Sequence, residues 1–500
     1  MLIKIAVVLV LTLYTLSMLV IFLYSIAQAQ LVYWYLKAKK ANVPPLARLS
    51  EKSLPIVTVQ LPVFNELYVV ERLIDATAQL DYPQAKLEIQ VLDDSTDETS
   101  EIIVQKVAEW QLKGTDIKQV RRSNREGFKA GALKEGIATA KGVFIAIFDS
   151  DFLPAKDFLQ KTIPHFHDKK TGMVQTRWAH LNQNYSLLTK AQAFMLDAHF
   201  SIEQTGRNQA NYFINFNGTG GVWRKSCILD AGNWQHDTLT EDIDLSYRAQ
   251  LKDWKFVYLE NVDSPAELPP VMSAFKTQQY RWTKGGAETA RKHFREILNS
   301  KKSFHVKWHG LVHLFNSAAF ISIITSAILS VPMLVLKPHF PQYRDFFSIA
   351  SLFLMSFGVL GILYWYSSLS RHKSKLKAML YFFRTFPLFL SVMMGLSLHN
   401  TIAVVEGFLG KKTPFVRTPK FNIVHNKDSW HKNRYIAPLQ VNWLNAFEGL
   451  LSLYFLTAVI MAFRQGDYSF LPFHLMLAFG FGIVCYYSVF QSQMKFNSRQ

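Results

Sequence analysis

The stretch Phe144-Ile145-Ala146-Ile147-Phe148-Asp149-Ser150-Asp151 decides the fold. An unbroken apolar run of this length fits a strand of a buried parallel sheet, covered on both faces. The run stops at Asp149, and one small residue separates Asp149 from Asp151. Two carboxylates so close at a strand end repel each other unless positive charge sits between them. A hard divalent cation is the usual answer, bound by one or two carboxylates plus substrate phosphates. Open α/β sheets bind ligands beyond the carboxyl ends of their strands. Asp149 and Asp151 are therefore expected where a metal meets a diphosphate. A solvated Asp-Ser-Asp turn is the alternative, because short motifs recur by chance.

The segments before this strand repeat one pattern. Residues 56–61 read as a strand, followed by the loop Pro62-Val63-Phe64-Asn65-Glu66 and a helix that Asp81-Tyr82-Pro83 ends. Residues 87–92 read as a second strand, closed by Asp93-Asp94-Ser95, with a helix over 96–111 and a short third strand at 117–121. Gly127-Phe128-Lys129-Ala130-Gly131-Ala132-Leu133 opens the next helix. Such β-α-β-α alternation implies an α/β domain with a mostly parallel sheet and helices on both faces. The domain is expected over residues 50–300. Its later part, from about 155, has a more mixed pattern.

The flanks differ in composition. Of 500 residues, 49% are hydrophobic, including 39 Phe, and the excess is concentrated outside residues 50–300. The run at 5–27 holds no charge and is longer than the apolar core of a signal peptide. Lys37, Lys39 and Lys40 follow it, and only Lys4 precedes it. By the positive-inside rule this makes residues 1–30 a membrane helix with its N-terminus outside. Further runs at 311–336, 346–366, 444–463 and 469–489 are each long enough to span. Residues 308–500 thus read as an α-helical transmembrane region. Residues 379–409 contain Arg384, Pro387, His399 and Glu406, and read as a helix or a broken pair of helices at the interface. Five spans then leave residues 28–310 and the basic tail, Lys495 to Arg499, in the cytoplasm. Residues 41–54, with Pro44-Pro45, read as a linker.

A net charge of +18 in a soluble protein would suggest nucleic acid. Here much of the excess flanks apolar runs, so the lipid bilayer is the expected partner and nucleic acid is not. Cys227 and Cys485 lie far apart and imply no disulfide framework.

Several polar clusters fall where a nucleotide-sugar site requires them. Asn65 and Glu66 follow the first strand, and Asp93 and Asp94 end the second. A carboxylate there can accept hydrogen bonds from a base or ribose. Lys129 lies among glycines at a helix start, where backbone N–H groups and a cation favour phosphate. Asp149 and Asp151 end the last strand. Singly, Asn65 or Asp94 could be helix caps, and Lys129 a solvated lysine. In Thr240-Glu241-Asp242-Ile243-Asp244 a helix start with acids in its first turn is the structural reading. Transfer of a sugar to a hydroxyl also needs a base within reach of that hydroxyl, and Asp242 is the candidate, with Glu241 beside it. In Gln278-Gln279-Tyr280-Arg281-Trp282, Gln278, Arg281 and Trp282 share one helix face. Arg281 suits a departing diphosphate and Trp282 a sugar ring. The alternative is an amphipathic helix anchored on the membrane.

Taken in order, Asp93-Asp94, Asp149-Ser150-Asp151, Thr240-Glu241-Asp242 and Gln278-Gln279-Tyr280-Arg281-Trp282 resemble the motifs of the processive family 2 glycosyltransferases, the cellulose-synthase-like group. The resemblance covers nearly the whole chain. Gln90-Val91-Leu92-Asp93-Asp94-Ser95-Thr96-Asp97, the segment from Lys129 to Gly136, and Phe216-Asn217-Gly218-Thr219-Gly220-Gly221-Val222-Trp223-Arg224 are most similar to the A and C branches. Those branches include glucomannan 4-β-mannosyltransferases.

The resemblance implies a GT-A catalytic fold, inverting chemistry and Mg2+ or Mn2+. It implies nucleotide-sugar binding at Asn65, Glu66, Asp94, Lys129 and Asp149, and metal at Asp149 and Asp151. Asp242 would be the base, assisted by Glu241, with Gln278, Arg281 and Trp282 at the acceptor and diphosphate. Residues 411–420, with Phe415, Arg417, Thr418 and Lys420, resemble a gating loop that closes over the nucleotide. Cellulose synthases carry Val where this chain has Arg417.

The implied activity is transfer of mannose or glucose from GDP-mannose or UDP-glucose to a growing β-linked glycan acceptor, with translocation across the membrane. The product would be a β-1,4 mannan, glucomannan or glucan. The implied location is the inner or plasma membrane, or the Golgi of a eukaryote, as a multi-pass protein with a cytoplasmic catalytic domain. A non-processive transferase acting on a polyprenyl phosphate or ceramide is the alternative. A transport or scaffold protein with a vestigial domain is the third.

Overall fold

Residues Val57–Val63 (β1), Leu87–Asp93 (β2), Asp116–Arg121 (β3), Phe144–Ile147 (β4), Thr171–His180 (β5), Gly221–Arg224 (β6) and Lys255–Ala266 (β7) form one sheet in the computed structural model. Their order is β3-β2-β1-β4-β6-β5-β7. The structure describes the chain apart from residues 42–45, 47–48, 341, 343–354, 426, 432, 436–441 and 498–500, and apart from the side chains of Ile3 and 492–497. β1 runs parallel to β2 and β4, β2 to β3, and β5 to β7, while β6 is antiparallel to both β4 and β5. Six strands therefore share one direction, and their carboxyl ends lie along one edge.

The apolar run of β4 does what its pattern requires. Phe144, Ala146 and Phe148 join the hydrophobic cluster on one face with Val57, Val59 and Leu61. Ile145 and Ile147 join the cluster on the other face with Leu133, Trp223 and Leu245. That is the period of two of a strand buried on both sides. The polar residues of β1 face their counterparts in β2. Thr58 Oγ1 donates to Glu88 Oε2 at 2.6 Å, and Gln60 Nε2 to Gln90 Oε1 at 3.0 Å. These bonds offset the cost of burying the two pairs, although Gln60 Oε1 is left without a hydrogen bond among the described residues.

Helices Val70–Ala78, Thr99–Leu112 and Phe128–Thr139 connect the first four strands, as the sequence pattern requires. The mixed region beyond residue 155 supplies β5, β6 and β7, which completes the sheet. A GT-A-like α/β domain is thus joined to a helical region.

The first helix, Leu2–Lys40, is 39 residues long and extends ten residues past the expected boundary at 30. Its apolar part ends, but nothing in the residues that follow stops the helix, and they gain partners. His309 Nε2 lies 2.7 Å from Gln30 Oε1, and Lys39 Nζ 3.0 Å from Glu260 Oε1. Helix Gln204–Gln209 also comes very close, since a Cβ on Gly206 would lie 2.5 Å from the carbonyl oxygen of Leu31.

Among the described residues, five helices are long and apolar enough to cross a membrane: Lys4–Lys40, Asn316–His339, Lys375–Gly395, Trp443–Gln465 and Leu471–Gln491. The expected run at 346–366 lies outside the described residues up to 354, and its remainder belongs to helix Met355–Arg371. The Pro44-Pro45 linker and the end of the basic tail also lie outside them. The stretch 379–409 is two helices, Lys375–Gly395 and Ser397–Leu409, and the first is long enough to span. Both ends of that helix neighbour helix Leu187–Ala198. Tyr381 packs edge-on against Phe194, and Val392 shares a cluster with Leu188.

The contact at Gly206 gives a direct check on how the two halves are joined. Gly206→Val should lower the thermal stability of the detergent-purified protein, with a cost on the overpacking scale of about 1–3 kcal/mol. Gly358→Ala, where an added Cβ meets nothing within 4 Å, should be neutral or stabilising. Equal melting curves for Gly206→Val and wild type would show that the first helix does not dock there.

Candidate active site

The carboxyl edge of the sheet gathers five carboxylates, and each has its own cation. Arg417 Nη1 lies 2.8 Å from Glu66 Oε1. Arg122 Nε donates to Asp94 Oδ1 at 2.9 Å, with a second bond from Nη2 to Oδ2. Lys129 Nζ lies 2.5 Å from Asp149 Oδ1, and Lys420 Nζ 2.8 Å from Asp151 Oδ1. Arg72 Nη2 lies 3.5 Å from Glu267 Oε2. Burial, partly offset by Arg417 and Lys420, raises the Glu66 carboxyl to about 7. Burial and the neighbouring Asp151, against Arg72 and Lys420, likewise raise Glu267 to about 7.

The strand ends position these groups. Asn65, in the left-handed region at φ 55°, accepts from the Thr96 N–H at 2.8 Å and so ties the loops after β1 and β2 together. Asp93 is fully engaged in structure, accepting from the Ser95 N–H and from Gln119 and Arg121. Helix Phe128–Thr139 begins with Gly127 at φ 69° and Phe128 at φ 48°. A bulky residue at positive φ is a costly conformation that marks functional turns. It presents Lys129, whose Nζ also donates to the Gly218 carbonyl at 2.8 Å. Burial works against the Lys129 charge, but Asp149 and Glu241 hold its pKa above the usual lysine value.

A cleft of about 100 Å3 lies among Glu66, Asp94, Lys129, Asp149 and Arg281, and the segment after residue 411 forms one of its walls. Phe415 stacks on Phe128 with ring centroids 5.2 Å apart, and the Arg281 guanidinium sits 5.2 Å from the Phe415 ring. Thr418 is buried. The segment is fastened further along. Glu267 accepts from the Phe421 and Asn422 N–H groups, Arg434 pairs with Asp97 at 3.1 Å and with Glu98, and Tyr435 donates to Asp97. The Arg417 guanidinium lies 4.3 Å from the Tyr435 ring. Arg417, which departs from the cellulose-synthase pattern, thus has a partner of its own on each side.

A second cavity, of about 420 Å3, is lined by Asp242, Trp282, Trp178, His199 and Glu203, and by Tyr24, Tyr364 and Phe389 towards the membrane half. Asp242 opens helix Glu241–Leu251. Thr240 makes no capping bond and instead meets Thr289 Oγ1 at 3.1 Å. The helix is anchored by Asp244, fully buried between His293 Nε2 at 2.7 Å, Lys292 at 2.8 Å and Arg248 at 2.7 Å. A Cβ placed on Gly218 would lie 3.1 Å from Asp242 Oδ2 and 3.4 Å from Lys129 Nζ, so Asp242 sits where the cleft meets the cavity. Burial first, and Glu241 second, raise its carboxyl to about 7 against the pull of Lys129. Glu241 points instead at Lys129, 3.9 Å away.

Helix Met272–Asn299 carries the Gln-Gln-Tyr-Arg-Trp segment between the two spaces. Arg281 lines the cleft and Trp282 the cavity. Gln278 is buried and lines neither; its neighbour Gln279 lines the cavity. The helix also grips the base of the loop, for Lys284 Nζ donates to the Lys411 carbonyl at 2.6 Å and to Thr413 Oγ1 at 2.7 Å.

The sequence reading missed Arg122, Glu267, Arg72, His199, Glu203, Arg434 and Tyr435. Arg122 could have been found, since it follows β3 directly, as Asp94 follows β2. Glu267 likewise follows β7 directly, but that strand was not recognised, and the others lie in elements with no strand-end signal.

No three His, Cys, Asp or Glu side chains converge as a ready-made metal cage among the described residues. The donor set still fits a hard cation that takes one or two carboxylates and completes its shell with phosphate oxygens. The Asp149 side chain is 34% exposed to the cleft. Asp151 Oδ2 accepts from the Glu267 N–H at 3.2 Å, and among the described residues the Lys420 ammonium alone meets its other oxygen.

The profile described as "Glycosyltransferase like family 2" matches residues 55–319, more than half of the chain. A rice protein named "Probable glucomannan 4-beta-mannosyltransferase 11" is 44% identical over 279 residues, covering 55% of this chain and 48% of the relative. "Glucomannan 4-beta-mannosyltransferase 1" of rice is 41% identical over 300 residues, covering 58% of each. "Glucomannan 4-beta-mannosyltransferase 2" of Arabidopsis thaliana is 41% identical over 279 residues, covering 54% of this chain and 52% of the relative. The match spans about half the length of these relatives. Among solved structures, a mannosyltransferase from Pyrobaculum calidifontis, in complex with GDP-Man and Mn2+, superposes with a TM-score of 0.52 at 20% identity. That match covers 78% of this chain and all of the other, and shows the shared GT-A-like fold. The chain belongs to glycosyltransferase family 2.

Proposed function

We propose that this protein transfers a hexose from a nucleotide sugar to a growing β-linked polysaccharide, a β-1,4 mannan or glucomannan, with inversion at the anomeric carbon. The observation that carries the reading is the place of Asp242. It sits where a cleft lined by cations and carboxylates meets a cavity lined by aromatic rings. The cleft suits the nucleotide diphosphate and the cavity a sugar chain. The names of the plant relatives point the same way. They favour GDP-mannose over UDP-glucose as donor.

Asp242 takes the proton from the acceptor hydroxyl as that oxygen attacks the anomeric carbon. The bond from that carbon to the diphosphate breaks, and the nucleoside diphosphate leaves with its charge. Lys129, Lys420 and Arg281 surround the place where that charge develops, and fixed cations in a water-poor site stabilise it well. Asp149 and Asp151 would hold Mg2+ or Mn2+, which neutralises phosphate charge when bound. Glu66 and Asp94 orient the donor, and Trp282 packs on the acceptor ring. Phe415, Arg417, Thr418 and Lys420 form the loop that closes over the donor.

The cavity runs from Asp242 to Tyr24, Tyr364 and Phe389 between the membrane helices, so the product passes outward through them. On this reading helix Lys375–Gly395 lies along the interface, with its two ends near helix Leu187–Ala198 and its Gly395 end against Gly480. The catalytic domain and the loop then share the cytoplasmic side, in a multi-pass protein.

General-base catalysis contributes about 10²–10⁴-fold, so Asp242→Asn should lose that much turnover with donor affinity unchanged. A base with its carboxyl near 7 is protonated, and idle, at lower pH. Wild-type turnover should therefore rise with pH through about 7, falling about tenfold per unit below it. A flat profile between pH 5 and 8 in about the range expected of an unshifted Asp, or wild-type turnover in Asp242→Asn, would remove Asp242 from this role.

The product is tested on membranes holding the protein, given radiolabelled GDP-mannose and UDP-glucose with Mg2+, then with excess chelator. A long glycan cut by β-1,4-mannan hydrolases, and lost on chelation, is the expected result. A single labelled glycolipid, or full incorporation in chelator, would overturn the polymer or the metal part of the reading respectively.

A further inference from the structure

The helix spanning residues 187–209 is interrupted by one π-turn, His199–Glu203. Such turns insert one residue, and they recur at functional sites because they re-aim side chains. Here the turn faces the cavity of Asp242, which both His199 and Glu203 line. His199 Nδ1 lies 3.0 Å from Glu203 Oε2, and His199 Nε2 lies 3.2 Å from Asn217 Nδ2. Gln204 Nε2 donates to Asn217 Oδ1 at 2.8 Å. That bond leaves the Asn217 amide N–H to donate to the imidazole, and the Nδ1–H of the ring to donate to Glu203. The chain Gln204–Asn217–His199–Glu203 is thus directed throughout and ends on a carboxylate.

The surroundings of this chain are those of a carbohydrate site. Trp178 stacks on Phe200 with ring centroids 5.0 Å apart and approaches Trp282 at 6.4 Å. Flat apolar rings beside a few fixed polar groups give a pocket both surface and direction. Asn217 is joined to Gly218, which lies beside both Asp242 and Lys129. A sugar hydroxyl that met Glu203 would therefore lie in the same cavity as the hydroxyl to be activated. Glu203 also has a structural setting, with a hydrogen bond from Gln28 of the first helix and the buried Arg207 nearby.

We propose that the Glu203 carboxylate, oriented by His199 and the π-turn, accepts hydrogen bonds from hydroxyls of the acceptor sugar and so fixes which of its hydroxyls faces Asp242. This rests on the reading of the chain as a hexosyltransferase. Glu203 is the binding group for the acceptor and His199 the positioning residue that holds it, and neither takes a proton in the transfer.

The test uses the full-length protein in detergent, with labelled GDP-mannose and a soluble β-1,4-manno-oligosaccharide as acceptor. Glu203→Gln is nearly isosteric, and His199→Phe keeps a ring in place. Each should raise the KM for the oligosaccharide about ten- to a hundredfold, the scale of one charge-assisted hydrogen bond. Donor affinity, read by GDP binding, should stay at the wild-type value, and release of free mannose to water should gain relative to elongation. An unchanged acceptor KM in both variants would overturn the proposal and leave the transferase reading intact. Loss of GDP binding together with transfer would show a merely structural role and overturn it as well. No hexose transfer by the wild type from either GDP-mannose or UDP-glucose would overturn the transferase reading and this inference with it.

Discussion

Like charges crowded at one edge of a buried sheet are the constraint on which the rest of the molecule depends. Glu66, Asp94, Asp149, Asp151 and Glu267 end strands or follow them, and each meets a cation from a different part of the chain. An unpaired buried carboxylate is costly, and removing one partner of a buried pair costs about 3–5 kcal/mol. The cations are therefore as necessary to the fold as the apolar core. Two of them, Arg417 and Lys420, come from a segment without regular secondary structure. The position of that segment is tied by charge to the place where a nucleotide diphosphate would lie. Glu66 and Glu267 stay raised to about 7, so the edge is balanced only in part, and a bound ligand with its own charge would redistribute the pairs.

One helix connects the remaining parts. Met272–Asn299 places Arg281 in the cleft and Trp282 in the cavity. Along its length Lys276 forms a buried pair with Glu448 of the helix Trp443–Gln465, at 2.8 Å. Tyr280 donates to Glu406, and Lys284 holds the Lys411 carbonyl and Thr413. A helix long enough to cross a membrane, the base of the loop and the walls of both spaces are thus fixed to the same rod, and a shift of that rod would reach all three.

Much of the catalytic fold could be read from the sequence because β4 is buried on both faces and the first strands end in charged residues. The second half of the sheet could not. β6 is only four residues long and antiparallel, too short for a periodic signal. β7 alternates buried and half-exposed residues irregularly and carries a register shift against β5. At the site, Asp94, Lys129, Asp149, Asp151 and Asp242 were marked by position alone. Among the cations Lys129, Arg417 and Lys420 were named, but which carboxylate each would meet was not, and Arg122 and Arg72 went unmarked, since a distant lysine or arginine carries no local pattern of pairing. Gln278 and Gln279 show the limit of helical spacing, which places residues on a face but does not say which face meets the cavity. The π-turn at His199 changes that spacing without any trace in the residue types.

If Asp149 and Asp151 hold the metal as proposed, the Lys420 ammonium, 2.8 Å from Asp151 Oδ1, contends with it for that carboxylate. Titration of Mn2+ into the nucleotide-free, full-length protein, followed by electron paramagnetic resonance, measures this directly. With Lys420→Met the contending charge is gone, and Mn2+ should bind about tenfold more tightly than to wild type, or about 1.4 kcal/mol. Unchanged or weaker Mn2+ binding in that variant would contradict the claim.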